Sequence, residues 1–136
     1  MIPVSPCLEL FLKDLPFPDR IREIKKLGFQ SFEFWSWWDK DLEGLGRAIT
    51  ETGMAPAAFC TRNLSLVDLS LRATYLSGLE ESIVVAKKFG ARSLITQVGQ
   101  ALPGVPREKQ AQSLVEGLKG AAMLLEKSGI TLLVEP

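Results

Sequence analysis

Short apolar runs alternate with longer amphipathic stretches along the whole chain. At four places an amphipathic stretch ends at a glycine and an apolar run follows at once. Glycine just after the last turn of a helix often adopts the left-handed conformation, so each junction predicts a helix followed directly by a strand. The four junctions are Lys26-Leu27-Gly28-Phe29, Glu51-Thr52-Gly53-Met54, Lys88-Phe89-Gly90-Ala91 and Lys127-Ser128-Gly129-Ile130.

The amphipathic stretches predict four helices. Apolar residues at helical spacing give each stretch a face for packing, such as Leu79 and Ile83 in the third. The second contains Gly44 and Gly46, each of which costs up to about 1 kcal/mol relative to alanine, so packing must hold it. The predicted helices open at Pro18, cover 41–52 and 70–89, and open at Pro106.

The apolar runs predict five strands, which the helices separate in strict alternation. The predicted strands cover 5–11, 29–35, 54–60, 92–97 and 130–135. Alternation of strand and helix implies parallel pairing through right-handed crossovers. The sequence therefore predicts an α/β fold of five parallel strands and four helices.

Two architectures share this order: a doubly wound open sheet and a (β/α)8 TIM barrel. Helices cover both faces of a doubly wound sheet, where an acid inside a strand is costly, whereas a barrel interior is polar near its top. Glu9, Glu33 and Glu135 all lie in or at the ends of predicted strands. The first turn, 12–16, also lacks the glycines of a nucleotide-binding turn. We therefore predict a single domain, 1–136, that forms the N-terminal five strands of a TIM barrel.

Side-chain alternation predicts which residues face the barrel interior. If Glu33 faces inward, residues two apart along the other strands share that face, including Cys60 and Gln97. The active sites of parallel α/β folds lie at the carboxyl ends of the strands. The predicted site is therefore the ring of Glu9, Trp35, Cys60, Gln97 and Glu135.

Charge and composition narrow the classes of function. Sixteen basic and sixteen acidic residues cancel, so no basic field favours nucleic acid and no polybasic patch favours a membrane surface. The N-terminus lacks the cationic region of a signal peptide, and no apolar run reaches the roughly 18 residues of a membrane span. We expect a cytoplasmic protein with neither nucleic acid nor membrane as a partner.

Histidine is absent, and the only cysteines are Cys7 and Cys60. This composition excludes Ser-His-Asp and Cys-His nucleophilic sites and every histidine-containing zinc site from the chain alone. Two isolated cysteines form neither a disulfide framework nor a paired-thiol metal site. Any chemistry must rest on carboxylates, amides, hydroxyls or thiols.

Four segments match patterns of a known superfamily. They are Gly28-Phe29-Gln30-Ser31-Phe32-Glu33-Phe34, the Gly53-Met54 junction with Phe59-Cys60-Thr61, the turn Gln97-Val98-Gly99, and Leu132-Leu133-Val134-Glu135-Pro136. Together they resemble the xylose-isomerase-like barrel superfamily, and most closely its hydroxypyruvate isomerase branch. The resemblance covers essentially the whole chain and corresponds to strands one to five of eight.

The resemblance implies isomerisation by two glutamates on opposite sides of a small hydroxy-keto acid or sugar, as in conversion of hydroxypyruvate to tartronate semialdehyde. Glu135 matches one of these catalytic acids and a ligand of a divalent metal, magnesium or manganese. The other ligands and the second acid come from strands six to eight. The chain is therefore expected to be catalytically incomplete unless another chain supplies those strands. Cys60 and Gln97 stand where apurinic endonucleases of the superfamily have metal-binding histidines, so their zinc site is not expected.

Several alternatives remain open from the sequence. The chain could derive from a related ketose 3-epimerase, be a truncated reading frame, or be a non-catalytic half-barrel that binds or assembles as a homo-oligomer or with a complementing fragment. Glu135 could be a solvated acid and Glu33 a structural one. Cys60 could be a packed thiol, and the tryptophans at 35–38 could pack over the barrel mouth.

Overall fold

The sheet of this chain is parallel and carries its helices on one face. The computed structural model describes residues 4–136. Its helices are α1 (Phe17–Lys26), α2 (Leu42–Thr52), α3 (Arg72–Phe89) and α4 (Arg107–Glu126), and its strands are β1 (Ser31–Phe34), β2 (Ala55–Cys60), β3 (Ser93–Gln97) and β4 (Thr131–Glu135). A short 3-10 helix, Leu69–Leu71, precedes α3. The predicted α/β class with parallel pairing is confirmed.

The strands pair in sequence order, β1 to β4, and each pair is parallel. Phe32 and Phe34 of β1 are buried with Phe59 of β2 and Leu94 of β3 in one core with residues of the helices. The rings of Phe34 and Phe59 stack with centroids 4.9 Å apart. Side chains on the opposite face are only partly covered, and that face is free to form a site.

The register between β1 and β2 shifts once. Phe32 pairs with Pro56, but Glu33 pairs with Ala58, so Ala57 is an extra residue on β2. Such a bulge also accommodates a proline, which has no N–H to give to the sheet.

The first predicted strand, 5–11, is a correction: it is reduced to one bridge between Cys7 and Glu33, so the sheet has four strands instead of five. The bridge consists of Leu8 N–H donating to the Glu33 carbonyl at 2.8 Å, and Glu33 N–H donating to the Pro6 carbonyl at 2.9 Å. The chain then turns away from the sheet.

The guanidinium of Arg20 stabilises this early turn. It donates to the carbonyls of Leu8, Lys13 and Leu15 at 2.7, 2.9 and 2.8 Å. Charge-assisted bonds to three carbonyls replace the ladder bonds that a longer strand would form.

Helix α2 forms despite its two internal glycines. Asp41 caps it by accepting from the N–H groups of Glu43 and Gly44 at 3.1 and 3.0 Å, and Leu45 and Ala48 are fully buried. Capping and burial together offset the low helix propensity of glycine. Among residues 4–136, no helix has both the length and the apolar character needed to cross a membrane.

Gly99 allows the loops after β2 and β3 to touch. Its φ is +98°, and an added Cβ would lie 2.8 Å from the Cα of Ser65. Next to it, Leu66 N–H donates to the Val98 carbonyl at 3.1 Å. This contact fixes the loops that border the carboxyl end of the sheet.

Gly99→Ala should lower the free energy of unfolding by about 2–4 kcal/mol, because both the backbone conformation and a backbone contact oppose a side chain. Gly28→Ala is the matched control, since φ is +93° there but no atom lies within 4 Å of the added Cβ. It should cost only about 1 kcal/mol. Urea denaturation measures both, and equal losses would show that the Ser65 contact has no role.

Candidate active site

A cleft of about 530 Å³ lies at the carboxyl ends of the strands. Four of the five predicted ring residues line it: Trp35, Cys60, Gln97 and Glu135. They come from four successive strand ends, because parallel strands bring their carboxyl ends to one edge.

Gln97 and Glu135 are held side by side by the sheet itself. They are paired residues in the register of β3 and β4, and the Gln97 side chain donates from Nε2 to Glu135 Oε2 at 3.2 Å. The Val98 N–H also donates to the Glu135 carbonyl at 3.2 Å. Both side chains also line an adjoining cleft of about 890 Å³. The carboxylate of Glu135 is therefore oriented by an amide and open to space on both sides.

Glu9 is placed differently from the other ring residues. It does not line the cleft; its Oε1 lies 2.8 Å from Lys40 Nζ, and the two side chains are only 17% and 12% exposed. The same oxygen accepts from Trp35 N–H at 3.3 Å. Glu9 thus neutralises Lys40 and holds the loop after β1, a position that its sequence location does not reveal.

The three tryptophans of that loop separate into two kinds. Trp35 is 52% exposed and lines the cleft with Trp38, whereas Trp37 is buried and donates from Nε1 to Ser82 Oγ on α3 at 3.1 Å. The Arg62 guanidinium lies 5.3 Å from the Trp37 ring and 5.9 Å from the Trp38 ring. Trp37 therefore anchors the loop, which leaves two aromatic faces for a ligand.

The predicted ring did not include three polar residues that line the cleft. Glu33 lies on the inward face of β1, and Thr61 and Asn63 follow β2 directly. Alternation already placed Glu33 inward, but its position below the strand end favoured a structural assignment. For Thr61 and Asn63 the available signal is their position immediately after a parallel strand.

The thiol of Cys60 is protonated at neutral pH. Burial first, and then the negative charge of Glu135, raises its pKa to about 11; Cys7 and Glu33 act in the same direction. A thiol with so high a pKa is a poor nucleophile. This argues for a packed, weakly polar wall and against covalent catalysis.

The described residues do not build a metal site by themselves. Within residues 4–136, no three side chains of Asp, Glu, Cys or His are grouped to hold an ion. Glu135 could supply one carboxylate ligand, whereas Mg²⁺ demands near-ideal octahedral coordination by oxygen atoms, several of them from water.

We expect alkylation of Cys60 by iodoacetamide to show a midpoint near pH 11, in a Cys7→Ser background, because the thiolate is the reacting form. At pH 8 the folded protein should react about 100-fold more slowly than the urea-unfolded chain. Replacing Glu135 by Gln should lower the midpoint, since it removes a negative charge. A folded-state midpoint equal to the unfolded one would contradict the burial argument.

The same shift has a consequence for stability. Since the unfolded thiol ionises near its model value of 9.0 and the folded one near 11, the stabilisation present below pH 9 should be lost as pH rises toward 11. The Cys60→Ser variant should lack this part of the pH dependence.

Two curated proteins are similar in sequence to this chain. A Danio rerio protein named as a hydroxypyruvate isomerase is 29% identical over 151 residues, covering 100% of this chain and 55% of that protein. The hydroxypyruvate isomerase of Escherichia coli K12 is 26% identical over 145 residues, covering 100% and 56%. The chain therefore spans about half the length of the curated relatives it matches.

Three solved structures are similar in fold. An AP endonuclease, family 2, from Brucella melitensis gives a TM-score of 0.90 at 22% identity, covering 100% of this chain and 55% of that one. The 3-keto-D-glucoside 4-epimerase from E. coli gives 0.83 at 19%, covering 100% and 56%. A xylose isomerase-like TIM barrel protein from Mycobacterium smegmatis, in complex with magnesium, gives 0.70 at 19%, covering 97% and 54%. These similarities show the predicted partial TIM barrel.

A sequence model of one family agrees with this fold. It is described as the xylose isomerase-like TIM barrel and matches residues 21–136, most of the chain. This chain therefore belongs to the xylose isomerase-like TIM barrel family.

Proposed function

We propose that this chain supplies one half of an isomerase active site, in which Glu135 transfers a proton between adjacent carbons of a hydroxy-carbonyl substrate. The observation that carries the proposal is the Glu135 carboxylate, oriented by Gln97 at 3.2 Å at the carboxyl edge of the sheet. The names of the relatives, hydroxypyruvate isomerases and a sugar epimerase, support this class of reaction. A related ketose 3-epimerase would use the same group.

In the proposed reaction Glu135 acts as a general base. It takes the proton from the carbon beside the carbonyl, the C–H electrons form an enediolate, and a proton is returned to the neighbouring carbon. The Gln97 amide holds one carboxylate oxygen, which leaves the other to accept the proton. Thr61 and Asn63 offer a hydroxyl and an amide to the substrate oxygens.

The second acid of this mechanism belongs, by resemblance, to strands six to eight of the relatives. Since the chain spans about half of those relatives, the complete reaction is proposed for the chain together with such a half. A divalent ion would take Glu135 as one ligand and would stabilise negative charge on the enediolate. The described residues do not complete its coordination, so no step is assigned to it.

Glu135→Gln should lower solvent deuterium incorporation into the carbon-bound positions of hydroxypyruvate or dihydroxyacetone by at least about 100-fold, because the base is lost. NMR measures the exchange, with the chain alone and after addition of the C-terminal half of the E. coli relative. Glu126→Gln is the control, since Glu126 is exposed at the end of α4. No exchange in either wild-type sample, or equal exchange in both variants, would refute the proposal.

A second candidate function is supported by β4. Within the described chain this strand pairs only with β3, and Leu133 and Val134, on its opposite faces, are each 46% exposed. An uncovered apolar strand edge favours association with another strand. The chain could then act as a half-barrel module that assembles without catalysis.

Sedimentation should detect dimers or larger species if β4 drives association, and Val134→Lys should shift the distribution toward monomer by placing a charge on that strand. Val84→Lys is the matched control, because Val84 is 67% exposed on α3, away from the edge. A monomeric wild-type chain, or equal effects of the two variants, would exclude assembly through β4.

A further inference from the structure

The cleft of about 530 Å³ carries negative charge that is not balanced locally. Its lining includes two carboxylates, Glu33 and Glu135, and no lysine or arginine from the described residues. Across residues 4–136, Glu33 also forms no ion pair. An anionic ligand that enters here therefore meets charges of its own sign.

Two basic groups flank the cleft, and both are already engaged. Lys40 lies 2.8 Å from Glu9 and 3.0 Å from Asp39, and its side chain is largely buried. Arg62 lies 2.9 Å from Glu81. Neither cation can turn to a substrate carboxylate without leaving an acid unpaired, which is costly for the buried Glu9.

The remaining lining suits an uncharged polar ligand. Thr61, Asn63 and Gln97 provide hydroxyl and amide groups that can donate to or accept from hydroxyls. Trp35 and Trp38 present exposed aromatic faces against which the C–H side of a sugar can pack. A free carboxylate such as that of Glu33 accepts hydrogen bonds from hydroxyls but repels another carboxylate.

We propose that Glu33 is a specificity residue, which selects neutral polyhydroxy carbonyl compounds, such as short ketoses, and rejects substrates that carry a carboxylate. The inference rests on the proposed function for the site and deepens it, since it chooses between the sugar and the keto acid. Glu33 accepts from a hydroxyl on the substrate carbon where a keto acid would carry its carboxylate.

Dihydroxyacetone and hydroxypyruvate are a matched pair of probes, because they differ only in a hydroxymethyl group in place of a carboxylate. Ligand titrations followed by NMR, with a chelator present, should give dihydroxyacetone a dissociation constant at least about 10-fold lower than hydroxypyruvate. Added salt should narrow the difference, since it screens the repulsion.

Glu33→Gln should tighten hydroxypyruvate binding about 5-fold or more and change dihydroxyacetone binding little, because the amide still accepts a hydrogen bond but carries no charge. Glu126→Gln should leave both dissociation constants unchanged. Amide spectra report whether each variant folds, and the wild-type ratio decides the question if Glu33→Gln does not fold.

Tighter or equal binding of hydroxypyruvate by the wild-type chain, no binding of either probe, or an unchanged ratio in folded Glu33→Gln would overturn the inference. Binding is measured without turnover, so its outcome is independent of the proposed reaction. The predicted ratio without deuterium exchange would remove the reaction and keep the specificity; exchange with the opposite ratio would do the reverse.

Discussion

Burial of one face of a parallel sheet is the constraint on which the rest of this structure depends. Phe32, Phe34 and Phe59 remove that face from water together with the apolar sides of the helices, and burial of such rings contributes a few kcal/mol each. Since side chains alternate along a strand, the buried set commits the intervening residues to the other face. The acids and amides of the cleft are therefore positioned by hydrophobic packing that none of them takes part in.

Most of the architecture could be predicted from the sequence because its signals are local. Each of the four junction glycines has the positive φ that ends a helix, and a strand follows each helix. The first strand could not be delimited, because the bonds that replace it come from Arg20, which lies on the following helix. Sequence periodicity carries no information about a side chain that reaches across a turn.

The site follows the same division. Alternation and strand polarity suffice to bring Cys60, Gln97 and Glu135 to one edge, since backbone geometry alone determines their faces. The partners of a charge are set by tertiary contacts instead, which is why Glu9 pairs with Lys40 and does not line the cleft. Loop aromatics are equally undetermined: a hydrogen bond to Ser82 buries Trp37 while its neighbours stay exposed.

The extra residue at Ala57 affects how this chain should be aligned with its relatives. Because the pairing offset between β1 and β2 changes between Phe32 and Glu33, no single spacing along the chain relates the two strands. An alignment that slides past this insertion by one position would exchange the inner and outer residues of β2 and turn Cys60 away from the cavity. Transfer of site residues among distant homologues therefore has to begin from the strand ladder, counted outward from each side of the bulge.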